Sequence, residues 1–241
     1  MVERMLVIGA DAAGMTAAAQ ARRRRPADDL EIVAIERGRH VSYSACGIPY
    51  WIGGVVASSD ALVVRTAAQF RDQYAIDVRI GQEAVGIALA GREGTVRRLD
   101  GYPRGGPGEP GSPGGGRSSG GGSSGSGPPG GRSSGGGGPG GGSSGSEFRL
   151  GFDQLVVATG AVPVRPPLPG IDARGVYGLR TLDDGEAIRA ALDRGARQAV
   201  VVGAGYIGLE MAEALVQRGV QVTVVEATEQ PMSTLDPDMG R

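Results

Sequence analysis

The sequence predicts an α/β fold in which a strand–turn–helix–strand unit occurs twice. Three observations carry this. Continuous apolar runs end in glycine turns, Met5–Ala10 (MLVIGA) and Ala199–Val202 followed by Gly203. Each turn opens a helix-like segment, Ala12–Arg25 and Tyr206–Gln217, and each helix is followed by a second apolar run that ends on glutamate, Glu31–Glu36 and Val220–Glu226. An unbroken apolar run bounded by turn residues reads as a strand buried on both faces, the habit of parallel sheets. The crossover in such a unit is right-handed.

The remaining elements follow in order. Pro26 stops the first helix because proline lacks the N–H that a helix interior needs. Ala61–Tyr74 is expected to be helical, and Asp77–Ala90 to hold short strands. Thr95–Leu99 and Glu147–Leu150 should be the arms of a hairpin, Leu155–Ala158 (LVVA) a buried strand, and Asp184–Arg194 a helix that starts on the acidic pair Asp183–Asp184. Residues 101–146 hold 23 Gly, 11 Ser and 7 Pro, and RSSGGG occurs at both Arg117–Gly122 and Arg132–Gly137. Such composition buries too little apolar surface to offset its ordering entropy, so a disordered insertion is expected. A hairpin tip tolerates it because closure entropy grows only logarithmically with length.

Composition narrows the function classes. A formal net charge of −1 lacks the basic excess of a nucleic-acid binder. No apolar run approaches the roughly 18 residues of a membrane span. Met1–Arg4 leads straight into a strand with no signal peptide evident, and the single cysteine excludes an intrachain disulfide framework; a cytoplasmic protein is expected. One His and one Cys do not make a metal site.

The second turn, Gly203-Ala-Gly205-Tyr206-Ile207-Gly208, is a full GxGxxG between a strand and a helix. Its glycines serve a tight turn, close backbone approach to a pyrophosphate, and close helix–strand packing, while the helix N-terminus offers unpaired N–H groups to phosphate. Glu226 can accept from ribose hydroxyls and would repel a 2′-phosphate, which leans towards NADH. The first turn, Gly9-Ala-Asp11-Ala12-Ala13-Gly14, puts Asp11 where the middle glycine normally sits, a position tolerable beside a pyrophosphate only if the carboxylate points away. Glu36 closes its second strand, followed by Arg37. Two such units, about 190 residues apart, imply two Rossmann-like dinucleotide-binding domains and two dinucleotides, a flavin and a nicotinamide.

Cys46 lies in Val41-Ser-Tyr-Ser-Ala-Cys46-Gly-Ile-Pro-Tyr50-Trp-Ile-Gly-Gly54, just before a helix start marked by proline, where a thiolate is stabilised. With VIGADAAGMTAA, LVVATGAVPVRPPLPG and VVGAGYIGLEMAEAL, this segment makes the chain resemble the FAD-dependent pyridine nucleotide–disulfide oxidoreductases, in the single-cysteine branch that contains coenzyme A-disulfide reductase. The resemblance covers nearly everything outside 101–146. It implies an FAD-binding portion at 1–160, a connection at 161–180 and an incomplete NAD(P)-binding domain at 181–241. It also implies a relay from NAD(P)H through FAD to Cys46 and on to a coenzyme A disulfide or persulfide. Because one thiol has no second cysteine to pair with, a coenzyme A mixed disulfide or a sulfenic acid takes that role.

By the same resemblance Thr16, Gln20, Arg23 and Ser42 fall where the family contacts coenzyme A. Ala158, Thr159 and Gly160 pass the flavin, and Glu210 lies near it on the nicotinamide helix. The family is homodimeric and runs on for roughly two hundred residues more, so this chain is expected to be an N-terminal portion that by itself binds FAD weakly and reduces disulfides poorly. An NADH oxidase or peroxidase cycling Cys46 through sulfenic acid is a second enzyme reading, and a non-catalytic nucleotide-binding fragment a third. Of the smaller features, Arg22–Arg25 complements the dipole of the first helix, His40 is expected in a loop, and Tyr50 and Trp51 are expected to pack.

Overall fold

The computed structural model describes residues 2–102, 146–236 and 238–239. The elements are β1 (Glu3–Ile8), α1 (Ala12–Arg24), β2 (Leu30–Glu36), α2 (Ile48–Gly53), α3 (Ala67–Tyr74), β3 (Ile76–Ile80), β4 (Gln82–Ala88), β5 (Glu93–Arg98), β6 (Glu147–Gly151), β7 (Gln154–Val157), α4 (Leu182–Asp193), β8 (Gln198–Val202), α5 (Tyr206–Gln217) and β9 (Gln221–Val225). Single turns of 3₁₀ helix occupy Ala45–Gly47 and Ser59–Leu62.

The first unit has three layers. Its parallel sheet runs β3-β2-β1-β7, with Val7 opposite Ala34 on one side and Val156 on the other. Alternation along β1 decides what covers each face. Met5 and Val7 join Met15 and Ala18 of α1 and Phe70 of α3 in one core, while Leu6 and Ile8 join Val96, Leu150 and Phe152 around the antiparallel sheet β4-β5-β6 in another. β1 and β2 are buried on both faces, as their apolar runs predicted, whereas β7 and β8 are not, since Val157, Val200 and Val202 are exposed.

The hairpin arms pair as expected, Arg97 opposite Glu147, and the Gly/Ser/Pro insertion between them falls at 103–145, outside the described residues. The helix expected at Ala61–Tyr74 is a correction. Ser59–Leu62 is a 3₁₀ turn, Val63 is extended, and α3 begins afresh at Ala67. Thr66 is the reason: its side chain accepts from Gln69 N–H while the Gln69 side chain accepts from Thr66 N–H, a reciprocal cap that fixes a new N-terminus.

The second unit begins at α4, whose N-cap Thr181 and third residue Asp184 form another capping box, giving Asp184 the cap role read for the acidic pair. β8 and β9 pair in parallel, Val201 opposite Val224. One core crosses between the units: Ile48, Trp51 and Ile52 of α2 pack with Leu182 and Leu192 of α4 and Met211 and Leu215 of α5. Trp51 is therefore buried as expected, whereas Tyr50, also expected to pack, is exposed.

Candidate functional site

The two glycine turns have the same backbone in spite of their different sequences. Gly9 and Gly203 sit at φ +100 and +99, a region that glycine enters without steric cost. Their N–H groups donate to Ile35 O at 2.9 Å and Val225 O at 2.8 Å. A Cβ at Gly14 would lie 1.8 Å from Gly9 O, and one at Gly208 would lie 1.9 Å from Gly203 O, so each third glycine is demanded by helix–strand approach. The glutamates correspond too: Glu36 accepts from Ala10 N–H at 3.0 Å and Glu226 from Ala204 N–H at 2.6 Å. Glu226 also accepts from the Ala227 and Thr228 N–H groups and the Thr228 hydroxyl, and its hydrogen bonds, Ala204's first, hold it down at about 2.

The middle positions differ. Gly205 has an ordinary φ of −78 and nothing within 4 Å of where a Cβ would be, so neither strain nor packing asks for glycine there. What its missing side chain leaves is open space at the N-terminus of α5, whose N-cap makes no side-chain hydrogen bond and whose first turn carries no acid. At the matching position Asp11 turns its carboxylate aside, and Oδ1 accepts from Tyr43 N–H at 3.1 Å. Burial raises its pKa, the Tyr43 and Ala12 N–H groups work against that, and Glu36 adds to the rise.

Both turns open on one cavity of about 1980 Å³ at the carboxyl ends of β1 and β8. The chain leaves β1 towards β2 on one side and lies against β7 on the other, the switch point where open α/β sheets bind ligands. Cys46, exposed, lines the same wall. Its segment is anchored at both ends. Before the cysteine, Ser42 N–H donates to Ala10 O at 3.0 Å and Tyr43 N–H to Asp11. After it, α2 is gripped by the second unit, since Arg189 and Arg218 donate to Trp51 O at 2.9 Å and Ile52 O at 3.0 Å. Cations on the last carbonyls of a helix satisfy groups that have no partner within it. The Arg189 guanidinium also lies 5.0 Å from the Trp51 ring centroid.

Of the residues singled out from sequence, Gly9, Asp11, Glu36, Arg37, Cys46, Ala158, Thr159, Gly160, Gly203, Gly205, Tyr206, Ile207, Gly208 and Glu210 line this cavity. Ala12 and Ala13 are exposed in the first turn of α1, Gly14 is buried against β1, and Glu226, outside the cavity lining, holds the second turn through Ala204 N–H. Thr16, Gln20 and Arg23 form an exposed stripe on one side of α1, away from the cavity lining; Ser42, half-buried, is outside that lining as well.

Sequence reasoning missed Tyr43 and Arg180. Tyr43 lines the cavity with its phenol pushed up to about 12 by burial and by the Asp11 and Glu36 carboxylates. Arg180 also lines it and donates to Thr159 O at 3.0 Å. Tyr43 stands in the cysteine segment and Arg180 in no motif, and only the fold brings the two to this cavity. His40 is in a loop as expected, yet tertiary structure sets it beside Asp183 and Glu186 with possible ligand atoms within 4.8 Å of one another. Arg39 Nε already faces the same Asp183 oxygen at 3.7 Å.

Two nucleotide-type glycine turns and a lone exposed thiol face one cleft. Residues 3–241 match the pyridine nucleotide-disulphide oxidoreductase family, and the chain belongs to it. It is similar to an NADH oxidase of Methanocaldococcus jannaschii, 33% identical over 98% of this chain and 43% of that protein. A coenzyme A disulfide reductase of Staphylococcus haemolyticus is 27% identical over 100% of this chain and 44% of its own length. Among solved structures, the NAD-dependent persulfide reductase of A. fulgidus superposes with a TM-score of 0.77 at 33% identity, covering 98% of this chain and 36% of that one. Reduced CoADR-RHD of Bacillus anthracis gives 0.79 at 28% identity, with 100% and 35% covered. The chain thus spans less than half of each relative. No helix among the described residues is long and apolar enough to cross a membrane.

Proposed function

We propose that this chain is the nucleotide-binding, thiol-bearing part of an enzyme that carries electrons from NAD(P)H through FAD to Cys46, and on to coenzyme A disulfide or a related low-molecular-weight disulfide or persulfide. One observation carries the reading: Cys46, the chain's single thiol, is exposed on the wall of the cavity into which both glycine turns open. The residues fit two dinucleotides. Gly9, Glu36, Arg37 and Ala158–Gly160 would hold the flavin nucleotide, with Asp11 folded away from the turn. The open space at Gly205 and the free N-terminus of α5 would take the pyrophosphate of the nicotinamide nucleotide, with Tyr206–Gly208 and Glu210 alongside. The anionic Glu226 disfavours a 2′-phosphate and favours NADH. When bound, the flavin supplies the electron pair that returns an oxidised cysteine to thiolate.

The chain's own chemistry is thiol exchange. The Cys46 thiolate attacks one sulfur of the substrate disulfide, forming a mixed disulfide and expelling the other sulfur as thiolate, which then takes a proton. The mixed disulfide stores two oxidising equivalents, and two electrons break it to release the second thiol and regenerate Cys46. Thr16, Gln20, Arg23 and Ser42 offer hydroxyl, amide and guanidinium groups to the coenzyme A portion.

A second reading, an NADH oxidase with a Cys46 sulfenic acid, is favoured by the relative at 33% identity. Intact-mass spectrometry after exposure to coenzyme A disulfide, and in parallel to peroxide with a sulfenic-acid trap, separates the two. A stable coenzyme A adduct mapped to Cys46 and absent from Cys46→Ser is expected. Trapped sulfenic acid with no adduct would replace the first reading by the second.

A further inference from the structure

We propose that Asp11 is a positioning residue for Cys46: its carboxylate, seated on Tyr43 N–H, ties the cysteine segment to the first glycine turn. The sequence departure and the geometry meet at this residue. Asp11 stands where Gly205 stands in the second unit, yet it does not cap α1; it reaches out of its own unit of secondary structure to a backbone donor 32 residues further on. It is half-buried in doing so, beside a second carboxylate, Glu36, and an acid accepts such a place only when a hydrogen bond compensates.

The segment it holds has a strained backbone. Ser42 sits at φ +48, left-handed for a residue with a Cβ, a conformation that persists only when its surroundings over-determine it. Here they do. Ser42 N–H donates to Ala10 O, Ser42 O accepts from Val64 N–H at 2.8 Å, and the next N–H, that of Tyr43, is taken by Asp11. Three residues later comes Cys46, beyond which α2 is clamped to the second unit. Asp11 is thus the one side chain among these contacts that locks the strained bend from the first unit's side. The matching position of the second unit has no such tether, because Gly205 carries no side chain and leaves that space open.

The proposal deepens the reading of Cys46 as the reacting thiol, but it is measured on the Asp11–Tyr43 contact and on thiol reactivity, so a missing coenzyme A adduct would leave it standing. Because the chain has one cysteine, the alkylation rate with iodoacetamide reports Cys46 alone. In the 241-residue chain, Asp11→Ala is expected to change that rate by about threefold or more, and Asp11→Asn, which keeps an acceptor of the same length, to restore it to near the wild-type value. A tether should also make the Tyr43 amide of the wild-type protein exchange with deuterium at least about tenfold more slowly than an unstructured amide at pH 7, a measurement that needs no variant to fold. An unprotected Tyr43 amide, an unchanged rate in Asp11→Ala, or failure of Asp11→Asn to restore it would overturn the assignment.

Discussion

The three glycines of the second turn are demanded for three different reasons, which single alanine substitutions separate. At Gly208 the new Cβ would meet Gly203 O at 1.9 Å, and real Cβ contacts essentially never fall below 3.0 Å, so α5 must retreat from β8 by about 1.1 Å. Overpacking of that kind costs roughly 1–3 kcal/mol and displaces the helix N-terminus as well. At Gly203 there is room for the methyl but φ is +99, so the cost is backbone strain of about 1–2 kcal/mol. At Gly205 there is neither clash nor strain. Alanine is a poorer N-cap than glycine but loses less chain entropy on folding, two contributions below about 1 kcal/mol and of opposite sign. Gly205→Ala should therefore unfold in urea at nearly the wild-type midpoint, while Gly208→Ala unfolds markedly earlier. Titration with NADH followed by fluorescence should show the reverse emphasis: Gly205→Ala weakens binding about tenfold or more, because its methyl occupies the space proposed for the pyrophosphate. If Gly205→Ala bound NADH like the wild type, or lost stability as Gly208→Ala does, the reasoning about that open space would be refuted.

Two further outcomes are expected. Glu226 has a folded pKa of about 2 against an ordinary 4.5, so its hydrogen bonds add stability above about pH 4.5 and lose it as the pH falls from there towards 2; the stability gap between the wild type and Glu226→Gln should close over that window in denaturant titrations, and a gap that stays constant would contradict it. Arg22 donates to Tyr74 O, Ala75 O and Arg25 O at 2.9, 3.1 and 3.1 Å, tying the end of α1 to the end of α3, and Arg22→Ala should destabilise the chain by about 1–3 kcal/mol in thermal or urea unfolding, where an Arg24→Ala control on the exposed side of the same turn changes little.

Much of the fold was legible because its signals are local. β1, β2 and β8 were read from apolar runs, α5 was placed at its observed bounds, and the glycine turns were recognised from spacing that reflects backbone needs within a few residues. Ala61–Tyr74 went wrong for the same reason: composition there is helix-compatible, but the Thr66–Gln69 capping box starts a new helix. Asp11 was read as tolerable beside a pyrophosphate only if turned away; its carboxylate accepts from Tyr43 N–H, a partner of which the sequence held no sign.

Sequence alone determined the pair of βαβ units, the hairpin arms around the insertion, and the identity of the single thiol, since each depends on neighbours along the chain. Only tertiary structure decided that Cys46 shares a cavity with both turns, that Tyr43 and Arg180 join it there, and that α2 is held by arginines from the second unit. The arginine contacts link residues more than a hundred positions apart, and no pattern within a short window encodes which donor will meet which acceptor once the layers have packed.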